Sequence, residues 1–296
     1  MRVMRLSALL LLILFAFVPQ GCLNDGVDAA AQMQKDLETI DNYLQANNID
    51  AYYDKSGVRF SIEQIGTGGF PPRIDQQINV NYSGKFLDGS VFDAGGDATG
   101  VLNTFILGWQ SGLAVWPAGT KGTLYVPSPM AYGSTTHNSI PANSILVFPV
   151  HLKEVVRSNA EKARLTADIA TIDSYLSDHA IDVVKDTTGI RYIIDTPGSD
   201  VKPGWYSKVK FSYSGKALAT GNEFFSGSAE PSDVYDSRVV DYIDGIRFAL
   251  QKIGVGGKIT VYVPSSLAFG PNENTQSSLP ANSNVYYEIT LNEIVP

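Results

Sequence analysis

The chain is written twice. "TIDNYLQ" at 39–45 returns as "TIDSYLS" at 171–177, and "GVRF" at 57–60 returns as "GIRY" at 189–192, both 132 positions on. "LYVPSPMAYG" from 124 returns as "VYVPSSLAFG" from 261, and "IPANS" from 140 returns as "LPANS" from 279, at offsets of 137 and 139. The growing offset places small insertions in the second copy. A repeat of roughly 130 residues is domain-sized, well above the unit of a solenoid. With 296 residues, 44% of them hydrophobic, the chain holds enough apolar side chain for two cores. Two homologous domains in tandem are therefore expected.

Each copy opens with a helical pattern. Met33, Leu37, Ile40 and Leu44 fall on one helical stripe, and Leu165, Ile169, Ile172 and Leu176 repeat it. The stripe is expected to pack on its own sheet or on the neighbouring domain; a dimerisation or client-binding arm is the other reading. Strand patterns follow: Val58, Phe60 and Ile62 alternate, as do Ile78, Val80 and Tyr82. "GTLYVP" and "SILVFPVHLKEV" are further strand-like runs, and "LGWQSGLAVW" reads as one short helix carrying Trp109 and Leu113. The plan is α+β: an antiparallel sheet wrapped on a short helix, preceded by an N-terminal helix, made twice.

The first residues differ in kind. Arg2 and Arg5 precede "LSALLLLILFAFV", an apolar run of signal-peptide length that is short for a membrane span. Cys22, the only cysteine, follows directly in "PQGC". This resembles a bacterial lipoprotein signal, in which the cysteine is acylated and becomes the new N-terminus. The usual leucine three residues before the cysteine is Pro19 here; an ordinary signal peptide or an uncleaved anchor is the alternative. The expected divisions are a signal at 1–21, a first domain with its leading helix at 22–157, and a second at 158–296.

A net charge of −8 argues against nucleic acid as a partner, since phosphate binding needs a basic surface. The three histidines lack zinc-site spacing with the lone cysteine. No Ser-His-Asp order, nucleophile elbow, Gly-x-Gly-x-x-Gly or Walker loop stands out. The distinctive positions are aromatic: Tyr82, Phe92, Phe105, Trp109, Tyr132 and Phe148. Such residues usually build a core. Several lie beside turns, however, in "VFDAGG" and "MAYGSTTHNSIPANS", where a core needs them less.

"NYSGKFLDGSVFD", "ILGWQSGL", "YVPSPMAYG" and "IPANSILVFPVHL", in that order, resemble the FKBP-type peptidyl-prolyl cis-trans isomerases, the macrolide-binding family. The likeness covers about Gly57 to Val155, with a degenerate version from Gly189 to Val295. The signal, the cysteine and the leading helix add a looser likeness to tandem FKBP lipoproteins of Bacteroidetes-type bacteria. The resemblance implies a proline-binding pocket. Tyr82 would stand on a strand wall, with Phe92 and Asp93 at the strand end. Phe105 and Ile106 would line the next side, Ile106 offering its backbone N–H to the substrate. Trp109 would form the floor, Tyr132 would offer its hydroxyl to a substrate carbonyl, and Ile140 and Phe148 would close the far side. The family's usual aromatic is missing from "ATGVLNTFI", which puts one wall in doubt. His137 is expected to be a solvated loop residue.

The second copy keeps Tyr213 and Phe224 but has Phe225 for Asp93, Ile246 for Trp109, Phe269 for Tyr132 and Tyr287 for Phe148; Ile243 and Leu279 match Ile106 and Ile140. The floor and both polar braces change together. The resemblance thus implies a lipid-anchored isomerase of the cell envelope that assists folding of exported, proline-containing polypeptides, active in the first domain. It implies no cofactor or metal, and macrolide-type inhibitors are candidate ligands. The alternatives are a peptide-binding or chaperone module without turnover, and a structural subunit of an envelope complex built on the leading helices.

Overall fold

The computed structural model describes residues 21–232, 237–271 and 279–296, with side chains from Ala29 onward within those segments. Residues 1–20 of the signal segment, Arg2 and Arg5 among them, and the Cys22 side chain lie outside the described residues. The first unit runs α1 (Gly21–Ala46), β1 (Tyr52–Tyr53), β2 (Arg59–Gln64), β3 (Gln77–Lys85), β4 (Val91–Val101), α2 (Leu107–Leu113), β5 (Lys121–Val126) and β6 (Leu146–Val156). The second runs α3 (Asn159–Asp178), β7 (Val184–Lys185), β8 (Arg191–Thr196), β9 (Lys208–Ala217), β10 (Glu223–Ala229), α4 (Asp244–Leu250), β11 (Lys258–Val263) and β12 (Val285–Val295). Each unit has a six-stranded sheet, in the order β1-β2-β5-β6-β3-β4 and, at the corresponding positions, β7-β8-β11-β12-β9-β10. All pairings are antiparallel. The fold is α+β, made twice.

The alternation read from sequence places Val58, Phe60, Ile78 and Val80 in the first core, packed with Trp109 and Leu113 of α2. The short helix thus packs on the apolar face of its sheet. β4 was legible only as a turn-flanked stretch, yet "VFDAGGDATGV" is an eleven-residue strand. It pairs with β3 along its length, interrupted by register shifts beside Gly84 that bend the pair.

The leading helices lie on the opposite side of their own sheets. Ile40 and Leu44 are buried against Tyr125 and Val147, and Ile172 and Leu176 against Tyr262. A repeated ionic clasp fixes each helix: Asp41 accepts from Arg59 at 2.9 and 3.3 Å, and Asp173 from Arg191 at 2.8 and 3.1 Å. Both arginine guanidiniums are forked onto a carboxylate, the geometry that gives such pairs their strength. The stripe therefore serves packing within each unit.

The two units also interlock. Phe70, before β3 of the first unit, is buried in the core of the second. Tyr206, before β9 of the second, packs against the core of the first. Its ring lies 4.3 Å from that of Tyr52, and its hydroxyl donates to the Val115 carbonyl at 3.1 Å. Glu161 joins them again. It closes the capping box of α3 with Ser158, accepts from Gln76 at 2.7 Å, and pairs with Arg73.

Burial alone would raise the Glu161 pKa. The Ser158 N–H, Gln76 and Arg73 outweigh it and hold it at about 2. A folded pKa below the unfolded one stabilises above the unfolded value, about 4.3, and that stability is lost as pH falls toward the folded value. Glu161→Gln should therefore cost about 1.5–3 kcal/mol at neutral pH, the range for hydrogen bonds to a charged group. Its deficit in melting temperature against wild type should vanish as pH falls from about 4.5 to about 2. A deficit independent of pH would mean that the carboxylate charge contributes nothing.

Candidate active site

β3 and β4 supply one wall. The Tyr82 hydroxyl donates to Asp93 Oδ2 at 2.7 Å, bracing the two strands at the rim. That hydrogen bond, then burial, then the Asp93 charge push the Tyr82 phenol up to about 12. Asp93 Oδ1 also accepts from the Gly95 N–H at 2.9 Å, so the carboxylate closes a local turn as well as the wall. Between them sits Gly84, where a Cβ would come within 2.5 Å of the Phe92 ring. The ring can lie flat across β3 only because that residue has no side chain. The second unit repeats this at Gly215, under Phe224 and Tyr287. Gly84→Ala should displace Phe92, at a cost of about 1–3 kcal/mol for overpacking. A melting temperature equal to that of wild type would show that Phe92 does not need the bare backbone at Gly84.

Trp109 rises from α2 and is 3% exposed. Tyr82 meets it edge-on at 5.1 Å, Phe148 edge-on at 5.4 Å, and Phe105 stacks on it at 5.1 Å. Phe92 stands edge-on to Phe148 at 5.8 Å. Ile140, buried, and Ile106 and Tyr132, half-buried, belong to the same cluster. The residues expected at the pocket from sequence thus come together around Trp109. Its indole nitrogen is buried and makes no hydrogen bond among the described residues. Ile106 is the N-cap of α2, its carbonyl taken by the Trp109 and Gln110 amides at 2.9 and 3.2 Å. As an N-cap residue its own N–H lies outside the helical ladder and has no backbone acceptor among the described residues.

Four features escaped the sequence. Phe86 packs on Phe92 at 5.1 Å and lengthens the aromatic wall. Gln110 donates to the Phe105 carbonyl at 2.8 Å and holds the turn that presents Phe105 and Ile106. The Phe105 ring packs over Gly100 of β4, where an added Cβ would meet it at 2.9 Å. Finally, His137 is exposed as expected, but its ring lies flat on Tyr132, 4.2 Å away with 5° between planes.

The second unit forms the same wall with different chemistry. Phe225 occupies the Asp93 position, is 55% exposed, and faces the Tyr213 ring at 5.8 Å. Ile246, Leu279 and Tyr287 are buried, and Phe224 stands edge-on to Phe269 and Tyr287 at 6.0 and 5.9 Å. An apolar contact replaces the hydroxyl–carboxylate brace, and an aliphatic side chain replaces the indole floor.

The sequence pattern of the FKBP-type peptidyl-prolyl cis-trans isomerases matches residues 69–153 and again 199–292. The chain belongs to this family. It comprises two FKBP-like domains, each with its own sheet and helix. Among curated relatives, it is 39% identical over 147 residues to the FKBP-type isomerase FkpA of Aeromonas hydrophila, covering 46% of this chain and 54% of that protein. It is 39% identical over 107 residues to the FKBP-type 22 kDa isomerase of Escherichia coli, covering 34% of this chain and 52% of the other. It is 36% identical over 108 residues to the outer membrane protein MIP of Legionella longbeachae, covering 35% and 46%. The chain spans about half the length of these relatives.

Proposed function

We propose that the chain is a peptidyl-prolyl cis-trans isomerase whose catalysis resides in the N-terminal FKBP domain. The observation that carries this reading is the aromatic cluster around Trp109 together with the Tyr82–Asp93 hydrogen bond, where the C-terminal domain has Ile246 and Phe225 instead. An X-Pro bond isomerises over tens to hundreds of seconds, behind a barrier of about 18–20 kcal/mol set by amide resonance. The twisted transition state has lost that resonance and is less dipolar than the planar amide, so water favours the planar form. A dry aromatic well withdraws that advantage. The proline ring stacks on Trp109. The Ile106 N–H and the Tyr132 hydroxyl hold the carbonyls that flank the bond, while Asp93 keeps the Tyr82 wall in place. The chemistry needs no nucleophile and no proton transfer.

Catalysis is tested in the full chain, because each domain lends a residue to the other's core. Isomerisation of an X-Pro peptide should be slowed about 10- to 100-fold by Trp109→Leu and kept with Ile246→Ala. Wild-type exchange no faster than the uncatalysed control would sink the reading.

The substrates are proline-containing polypeptides of the export pathway, and macrolide-type inhibitors would compete for the same well. The site sets of Tyr82, Phe92, Asp93, Phe105, Ile106, Trp109, Tyr132, Ile140 and Phe148, and the divisions after residues 21 and 157, are part of this proposal. The cell-envelope location rests on Cys22 after its apolar segment and on a relative named as an outer membrane protein. Cys22→Ala should shift the protein from the membrane to the soluble fraction; an unchanged distribution would rule out the lipid anchor. For the C-terminal domain, the exposed Phe225 beside Tyr213 favours peptide holding without turnover. Phe225→Asp should then weaken suppression of client aggregation while the peptide isomerisation rate stays unchanged.

A further inference from the structure

We propose that Asp36, on the leading helix, is a positioning residue for Tyr132. This rests on the reading that Tyr132 serves the isomerase pocket. Asp36 is 2% exposed, and all its bonds point at one target and one support. Its Oδ2 accepts from both the N–H and the hydroxyl of Ser128, at 2.7 and 2.6 Å, and its Oδ1 accepts from the Gln32 amide at 2.6 Å. Ser128 and Asp36 are 92 residues apart in sequence.

Ser128 opens the 3-10 turn Ser128–Met130, which ends just before Tyr132. The Ser128 carbonyl accepts from the Ala131 and Gly133 N–H groups, at 2.9 and 2.8 Å. Those are the amides on either side of Tyr132. The Tyr132 backbone is therefore bracketed by two bonds to one residue, and that residue is held through its other two polar groups by one carboxylate. A buried acid bonded to uncharged donors is a strong acceptor in a dry setting, and such bonds are short and directional. Loss of Asp36 would leave the Ser128 N–H and hydroxyl buried without a partner, which loosens the turn rather than the core.

The second domain shows that the anchor belongs to the turn. Asp168 accepts from the Ser265 hydroxyl at 2.6 Å, and the Ser265 carbonyl accepts from the Ala268 and Gly270 N–H groups at 3.1 and 2.8 Å. There, however, the Ser265 N–H donates to Asn284, and Arg164 pairs with Asp168 at 2.6 Å. The load is spread over three side chains where the residue presented is Phe269. In the first domain one carboxylate, Asp36 supported by Gln32, takes both Ser128 donors, where the residue presented carries a hydroxyl. The leading helix thus contributes a group to the site as well as a packing face.

The test uses the full chain with Asp36→Ala, Asp36→Asn, Ser128→Ala, Tyr132→Phe and the Asp36→Ala/Tyr132→Phe double variant. Asp36→Ala should lower kcat/KM on an X-Pro peptide by about fivefold to tenfold, measured well below the melting temperature. Asp36→Asn should recover most of the rate, because an amide oxygen still accepts from Ser128 while Gln32 turns its own oxygen inward. In the Tyr132→Phe background the Asp36→Ala effect should shrink to under about twofold, since it acts through the hydroxyl that is already gone. An equal loss in both backgrounds, or no rescue by asparagine, would overturn the inference. A second readout is the ¹⁹F resonance of 3-fluorotyrosine placed at 132, which should shift and broaden in Asp36→Ala and Ser128→Ala. Should Tyr132→Phe leave the rate unchanged, the catalytic reading of Tyr132 falls, and the resonance alone decides: a moved signal keeps Asp36 as its anchor, an unmoved one removes it. Should Asp36→Ala fail to fold, Ser128→Ala carries the same comparisons.

Discussion

Trp109→Leu in the full chain is expected to lower kcat/KM for X-Pro isomerisation by about 10- to 100-fold, equivalent to about 1.4–2.7 kcal/mol of transition-state stabilisation. Leucine keeps an apolar side chain in the position, so the domain should fold. It removes the flat surface on which a proline ring stacks, and it breaks the ring contacts to Tyr82, Phe105 and Phe148 at 5.1, 5.1 and 5.4 Å. Each such aromatic pair contributes about 0.5–1.5 kcal/mol beyond its area burial. A stability loss of about 2–4 kcal/mol should therefore accompany the change. The two effects separate by assay temperature: below the melting transition only the rate deficit remains. Ile246→Ala is the matched control. That residue is 6% exposed in the second core, so its truncation should cost about 2–5 kcal/mol of stability. The rate per folded molecule should stay within about twofold of wild type. Equal rate losses in the two variants would place catalysis in both domains and reverse the assignment of roles.

Phe70→Ala should split a single thermal transition into two. Phe70 is 8% exposed and sits in the second domain's core while its backbone belongs to the first. Truncation of a buried phenylalanine costs about 3–5 kcal/mol. Here that cost falls on the second domain and on its attachment. The second domain should melt first, with the first following near its original midpoint. Tyr206→Ala should do the converse, because Tyr206 stacks on Tyr52 and bonds the Val115 carbonyl of the first domain. Tyr206→Phe keeps the stacking and loses only the hydroxyl bond, about 0.5–1.5 kcal/mol. Calorimetry with one dye-labelled domain assigns each transition. A single transition that merely moves down in Phe70→Ala would show that the domains stay coupled without it, through contacts such as Arg73 and Gln76 to Glu161.

These interlocks had no signature in the chain. Phe70 stands next to two prolines in "GGFPPR" and reads as a loop residue, and Tyr206 in "GWYSK" reads the same way. Neither belongs to a periodic run, and their partners lie in the other repeat. The aromatic cluster around Trp109 was legible for the opposite reason. Tyr82, Phe92, Trp109, Tyr132 and Phe148 each sit at a fixed place within a short ordered motif, and the motifs come in a fixed order. Phe105 was legible as a site residue. Its ring packing over Gly100 was not, because that contact depends on the path of β4.

What the sequence alone determined was the duplication, the α+β plan of each half, the apolar stripes of the leading helices, and the contrast between Asp93, Trp109 and Tyr132 in one copy and Phe225, Ile246 and Phe269 in the other. Those features are local: hydrophobic period, turn residues and motif order are carried by neighbours along the chain. The tertiary structure decided which side of the sheet each helix covers, that Asp36 reaches Ser128, and that each domain completes the other's core. Those depend on single polar or aromatic side chains meeting across 85 to 92 residues or more. A lone residue leaves no periodic trace, and its energetic role exists only once the fold has removed it from water.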